Sequence, residues 1–176
     1  MTRATGHDAS ARPARSGRAS LSAYQRGIAL LARREHSRGE LRQKLLQRGH
    51  EPQEVDSALE RLVEQGLQSE TRYAESMARM RVGAGHGPLR IRSDLRQKGV
   101  DDAGIEAAIS EVATDWQMQA LDALHRRFGE PALEPEASAD HLDRAKRRNR
   151  QLAFLLRRGF ESDTARAAVQ SWQRGT

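Results

Sequence analysis

Three glycines, each directly preceded by a basic residue, recur along this chain with the same apolar residues at the same offsets. They are Gly49, Gly99 and Gly159, preceded by Arg48, Lys98 and Arg158. Four residues before each glycine stand Leu45, Leu95 and Leu155. Six after it come Val55, Ile105 and Ala165, and nine and ten after it Ala58–Leu59, Ala108–Ile109 and Ala168–Val169. Thirteen after it come Leu62, Val112 and Trp172. So many matching columns mark an internal repeat with a period near about fifty residues, the signature of a stacked, solenoid-like chain.

The columns have a helical reading. The offsets after each glycine follow the i, i+3/i+4, i+7 spacing of one helix face. The glycine fits the position just past a helix C-terminus, where the backbone turns left-handed and a Cβ is costly. The basic residue before it sits at the negative end of the helix dipole. Asp101, Asp102, Ser162 and Asp163 suit the start of the following helix, where their oxygens accept from free N–H groups.

A further helix precedes each pair. Leu21, Tyr24, Ile28 and Leu31 form an apolar stripe, as do Tyr73, Met77 and Met80, and then Trp116, Ala120, Leu124 and Phe128. Each unit is then three helices. Ser37 with Glu40 reads as a capping box, and Gly87–Pro88 as a helix opened by proline. β-branched and aromatic residues are scarce and no stretch alternates with period two, so the class is all-α. Three tandem three-helix repeats are expected to form an elongated, curved array of undetermined hand.

Four segments follow. Residues 1–20 are a basic tail with no periodic apolar face, expected to be disordered. The repeats span 21–68, 69–112 and 113–176, the third carrying an acidic Pro/Gly loop at 129–139. The tail is acid-poor like a transit peptide but lacks an apolar stripe. No apolar run reaches membrane-spanning length and no signal-peptide core is visible, so a cytoplasmic location is expected.

The composition removes much chemistry. There is no cysteine, hence no disulfide, thiolate metal site or cysteine nucleophile. The six histidines are scattered, and none forms a pair suited to zinc. The glycine-rich run 83–87 follows no strand and leads to no GK[ST], so it reads as a flexible helix connection rather than a phosphate loop. Asp101–Asp102 are helix caps before they are acid–base catalysts. No catalytic residue, cofactor site or metal site is assigned, and no enzyme is expected.

What remains is positive charge. The formal charge is +6, and 27 of the 30 basic residues are arginine, as a GC-rich coding bias or a polyanionic partner would produce. Half of that excess lies in the tail, so the repeats are not a uniformly basic coat. Two clusters stand out. Arg90, Arg92, Arg96 and Lys98 share the second helix of repeat two. Lys146, Arg147, Arg148 and Arg150, then Arg157 and Arg158, lie on a long helix over 140–158. Arg147, Arg150 and Arg158 fall near one face beside Phe154. Such runs are solvated faces or docking sites for phosphate or acidic protein, where arginine offers bidentate contacts. Few aromatics are available to stack on bases.

Three segments carry a resemblance. The first runs from Ala29 to Leu41 as ALLARREHSRGEL, followed by Lys44-Leu45 and Arg48-Gly49. The second has Tyr73-Ala74-Glu75, Arg79, Arg81, Gly87-Pro88-Leu89-Arg90-Ile91, Leu95 and Lys98-Gly99-Val100. The third is Phe154-Leu155-Leu156-Arg157-Arg158-Gly159-Phe160. In this order they resemble the RecX family of bacterial recombination regulators over residues 22–172.

The resemblance implies binding to the RecA recombinase filament on single-stranded DNA. It further implies inhibition of RecA's ATPase, strand-exchange and coprotease activities, within DNA repair and the SOS response. It places Arg90, Arg92, Arg96, Lys98, Lys146, Arg147, Arg150, Arg157 and Arg158 as contact candidates toward RecA or DNA. A monomer with no membrane contact is expected, with single- or double-stranded DNA as a second partner. The alternatives are a helical DNA-binding module that competes for DNA, and a general helical-repeat scaffold.

Overall fold

The computed structural model describes residues 21–112, 115–130 and 141–174. Among them lie nine helices and no strand. They are α1 (Ala23–Leu31), α2 (Arg38–Leu46), α3 (Pro52–Glu64), α4 (Glu70–Gly83), α5 (Pro88–Gln97), α6 (Asp102–Glu111), α7 (Trp116–Phe128), α8 (His141–Arg158) and α9 (Ser162–Arg174). Each consecutive trio encloses its own core, and in each the first helix packs most extensively on the third. This is the all-α, three-by-three architecture that the repeat predicts. The tail at 1–20 and positions 131–140 of the acidic loop lie outside the described residues.

The recurring leucine and glycine have one shared cause. Gly49, Gly99 and Gly159 adopt φ of +83°, +83° and +85°. That left-handed turn brings the N–H of the next residue back onto the leucine carbonyl. His50 donates to Leu45 at 3.4 Å, Val100 to Leu95 at 3.2 Å and Phe160 to Leu155 at 3.2 Å. The three leucine side chains are fully buried. Each leucine thus anchors a core and accepts a bond that closes its helix. The downstream columns follow: Val55, Ile105 and Ala165 are buried, as are the pairs after them.

Repeat three fills the space left by Ala165 and Ala168 with aromatic volume. Phe160 is fully buried, and Phe128 meets Phe154 edge-to-face at 5.6 Å and 86°. Trp172 packs partly buried against the same core.

The structure corrects three local expectations. On α1 the stripe Leu21, Tyr24, Ile28, Leu31 is not the buried face: Leu21 and Ile28 are 43% and 38% exposed, and Ala23, Gly27 and Leu30 are buried instead. Small residues win because α1 crosses α3 closely. A Cβ on Gly27 would lie 2.6 Å from Leu62 Cδ1. Likewise Met80 on α4 is 59% exposed, leaving Tyr73 and Met77 as the buried pair. At α2, Ser37 Oγ accepts from the Glu40 N–H at 3.1 Å, but Glu40 pairs with Arg34 rather than returning to Ser37. The reciprocal capping box forms on α1, between Ser22 and Gln25.

The repeats are joined by polar contacts. Between one and two, Arg72 Nε lies 2.8 Å from Glu35 Oε1, and Gln68, the last residue of repeat one, donates from Nε2 to Glu70 Oε1 at 3.1 Å as well as to the His36 carbonyl at 3.3 Å. Between two and three, the C-terminal end of α8 abuts the N-terminal end of α5. The Gly87 N–H donates to the Arg158 carbonyl at 2.9 Å, and the Leu89 N–H to the Gly159 carbonyl at 3.0 Å. Orphan acceptors of one helix thereby satisfy orphan donors of another, with the dipoles head to tail. The run 83–87, expected as a flexible connection, is a constrained part of this junction.

Candidate functional site

The two basic clusters end in different electrostatic states. On α5 every arginine is engaged. Arg90 Nε lies 3.0 Å from Asp94 Oδ1, and Arg81 Nε reaches the other oxygen of that buried carboxylate at 2.9 Å. Arg92 forms a two-bond fork with Glu106, at 2.7 and 3.0 Å, and lies 3.7 Å from Glu161 of repeat three. That hydrogen-bonded fork raises the Arg92 pKa. The same hydrogen bond holds the Glu106 carboxyl below its usual range, against a smaller opposing effect of desolvation. Arg96 meets Asp102 at 2.7 Å. Lys98 is exposed, with no partner among the described residues. The charge of α5 is therefore largely balanced within repeat two.

The N-terminal half of α8 is different. None of residues 142–150 is buried, whereas Gln151 and Leu155 are. Stepping back from Leu155 along the packed face gives Gln151, Arg148 and Arg144, so the stripe turns from apolar to cationic. Lys146 approaches Asp143 at 3.3 Å. Arg144, Arg147, Arg148 and Arg150 are exposed without partners among the described residues, as is Arg157 further along. They surround the helix rather than lining one side, the arrangement of a polyanion-facing segment.

Arg158 stands apart from Arg147 and Arg150. Its Nη1 donates to the Ala84 carbonyl at 2.8 Å, and its guanidinium lies 5.3 Å from the Phe154 ring centre. It bridges repeats three and two. Arg126 of α7 does the same, donating from Nη1 to the Gly83 carbonyl at 3.0 Å. Sequence reasoning missed Arg126 and Arg127. Their signal was a pair of cations in the last turn before Gly129, one residue further from the glycine than Arg157–Arg158 are from Gly159. Together with Arg158 and Phe154 they line a cavity of 110 Å³ between the two repeats.

His86 lies in the same junction, its Nδ1 buried without a hydrogen-bond partner. Burial first, then the charges of Arg158, Arg81 and Arg90, hold its imidazole below the ordinary histidine value. No group of three or more His, Cys, Asp or Glu among the described residues is arranged to hold a metal ion. No helix among them is long and apolar enough to cross a membrane.

Comparison with known proteins agrees along the whole described chain. Residues 23–62 match the family description "RecX, first three-helix domain", residues 69–109 the second such domain and residues 115–169 the third. "Regulatory protein RecX" of Halorhodospira halophila is 45% identical over 156 residues, covering 88% of this chain and 90% of that one. The protein of the same name from Xanthomonas axonopodis pv. citri is 43% identical over 146 residues, covering 83% and 85%. The fold is similar to the crystal structure of RecX from Lactobacillus salivarius, with a TM-score of 0.65 at 21% identity over 86% of this chain and 95% of that one. A second crystal structure, of a regulatory protein RecX, gives 0.61 at 26% identity, covering 81% and 68%. With three successive helical domains matched in order and relatives this similar over most of their length, the chain belongs to the RecX family of regulatory proteins.

Proposed function

We propose that this protein is a non-enzymatic, cytoplasmic negative modulator of RecA, acting as a monomer. It binds the RecA filament on single-stranded DNA and lowers its ATPase, strand-exchange and coprotease activities, and so tunes recombinational repair and the SOS response. The observation that carries this reading is three RecX domains in tandem, joined by defined polar junctions into one array that can lie along a repeating polymer. The cations of α8 supply the attraction, through Arg144, Lys146, Arg147, Arg148 and Arg150, with Arg157 beside them. Just past α5, Lys98 has no partner among the described residues, while Arg90, Arg92 and Arg96 hold the repeat together and present only their remaining N–H groups.

The test is RecA's DNA-dependent ATP hydrolysis on single-stranded DNA, titrated with this protein from far below equimolar with DNA in excess. Loss of hydrolysis at substoichiometric protein is expected, because one bound molecule affects many filament subunits. Unchanged hydrolysis at equimolar protein would overturn the reading. The exposed α8 cluster favours one second reading, a helical module that binds DNA and competes for it. It requires tight, steeply salt-dependent binding to bare DNA, with inhibition that disappears when DNA is in excess.

A further inference from the structure

We propose that the cavity between repeats two and three is a phosphate-binding site, taking a phosphate group of a nucleic acid or of a free nucleotide. Its wall brings together Arg126, Arg127 and Arg158 with Phe154, Gly85 and Ala123, and no carboxylate among the described residues lines it. Its 110 Å³ is well above the roughly 10–15 Å³ that admits one water.

Two of the three arginines are held in place before any ligand arrives. Arg126 is fixed by donating from Nη1 to the Gly83 carbonyl at 3.0 Å and from Nε to the Asp122 backbone carbonyl at 3.3 Å. Arg158 is fixed by donating to the Ala84 carbonyl at 2.8 Å and by stacking on Phe154. Arg127 lies 5.4 Å from the Phe128 ring centre. A guanidinium carries five N–H donors, so each retains donors for an anion. Capping the end of α4 accounts for one bond each of Arg126 and Arg158. It does not account for Arg127, or for three cations converging without a counter-charge among the described residues. Phosphate chemistry does, because its oxygens accept from several guanidinium forks at once. Phe154 adds an apolar wall against which a sugar or base can lie.

The experiment follows the arginine Nε–H signals by nuclear magnetic resonance while the full chain is titrated with inorganic phosphate, ATP, a short oligothymidylate and its uncharged methylphosphonate analogue. Saturable shifts at Arg126, Arg127 and Arg158 are expected with a phosphate-bearing ligand and not with the methylphosphonate. Saturation by the oligothymidylate far below ATP assigns the site to a nucleic-acid backbone, and the reverse order to a free nucleotide. Arg127 is exposed and bonds no backbone, so Arg127→Gln should leave the melting temperature unchanged. It should weaken the better ligand about tenfold, the loss of one charged hydrogen bond. Arg126→Lys, which keeps the charge but loses the fork, should weaken it less. No shift at these arginines with any ligand, or undiminished affinity in Arg127→Gln, would overturn the site. No RecA is present, so failure here leaves the proposed modulation of RecA standing.

Discussion

Gly87 and Gly159 meet back to back. A Cβ on Gly87 would lie 2.4 Å from the Gly159 carbonyl oxygen, and one on Gly159 2.4 Å from the Arg90 backbone nitrogen. Gly49 has nearly the same left-handed φ but nothing within 4 Å of its missing Cβ. Gly49→Ala should therefore cost only the left-handed strain, about 1–2 kcal/mol. Gly159→Ala adds overpacking against backbone and should cost about 2–5 kcal/mol. Equal losses for the two in chemical denaturation would mean that the junction is not held as described.

Core and surface separate in a second pair. Leu95 is fully buried, so Leu95→Ala should destabilise repeat two by about 2–5 kcal/mol. Arg147→Glu with Arg150→Glu alters only exposed positions. Helicity and melting temperature should stay within error, while the protein concentration needed to inhibit RecA rises several-fold. Collapse of the fold in the charge-reversal variant would show that these arginines are structural.

The close crossing of α1 and α3 makes an unusual glycine-to-alanine comparison. Gly83 sits in α4 with open space around it, so Gly83→Ala should stabilise by about 0.5–1 kcal/mol through helix propensity alone. Gly27→Ala gains the same propensity but drives a methyl into Leu62, whose side chain is buried. Overpacking of about 1–3 kcal/mol outweighs the gain. Thermal melts of the two variants should move in opposite directions.

Two histidines, His36 buried and His86 half-buried, give the fold a pH dependence of determined sign. His36 is only 3% exposed, and its burial, opposed by the Arg34 carbonyl, lowers its pKa. Arg34 and Lys44 push the same way, and Glu40 pushes against. His86 is lowered as well, with Asp94 opposing the neighbouring arginines. Both groups bind fewer protons folded than unfolded. Their contribution is complete above the unfolded value of about 6.5 and is lost as pH falls through the depressed folded values. Denaturation midpoints should drop between pH 7.5 and 5.5. His86→Gln should flatten part of that decline. The depressed carboxyls Glu40 and Glu106 add a separate loss at lower pH, as acid protonates them.

Most of the fold was legible because the leucine, glycine and downstream apolar columns each answer to a physical requirement that recurs in every repeat. The misreadings occurred where that link breaks. Ala23 and Gly27 carry almost no hydrophobic signal, yet close helix approach selects them over Leu21 and Ile28. The run 83–87 looked permissive because its constraints come from residues 158–160, more than seventy positions away. The site was less legible for the same reason. Sequence proximity grouped Arg158 with Arg147 and Arg150, but tertiary packing groups it with Arg126 and Arg127. It also shows that Arg90, Arg92 and Arg96 are already spoken for by Asp94, Glu106 and Asp102.

The first turns of α8 stand against their own electrostatics. Arg144 with Arg148, and Lys146 with Arg150, are like charges four residues apart on one helix, each pair unfavourable by about 0.2–0.5 kcal/mol. Cations also crowd the positive end of the helix dipole, which only Asp143 offsets in the first turn. These charges make the stretch the less stable part of α8, held from behind by the packed turns that begin at Gln151. Neutralising its charge relieves that repulsion, so an arriving polyanion would tighten turns that are already helical. Relief of repulsion then adds to the direct attraction, and amide hydrogen exchange in this segment should slow on binding more than in the turns beyond Gln151.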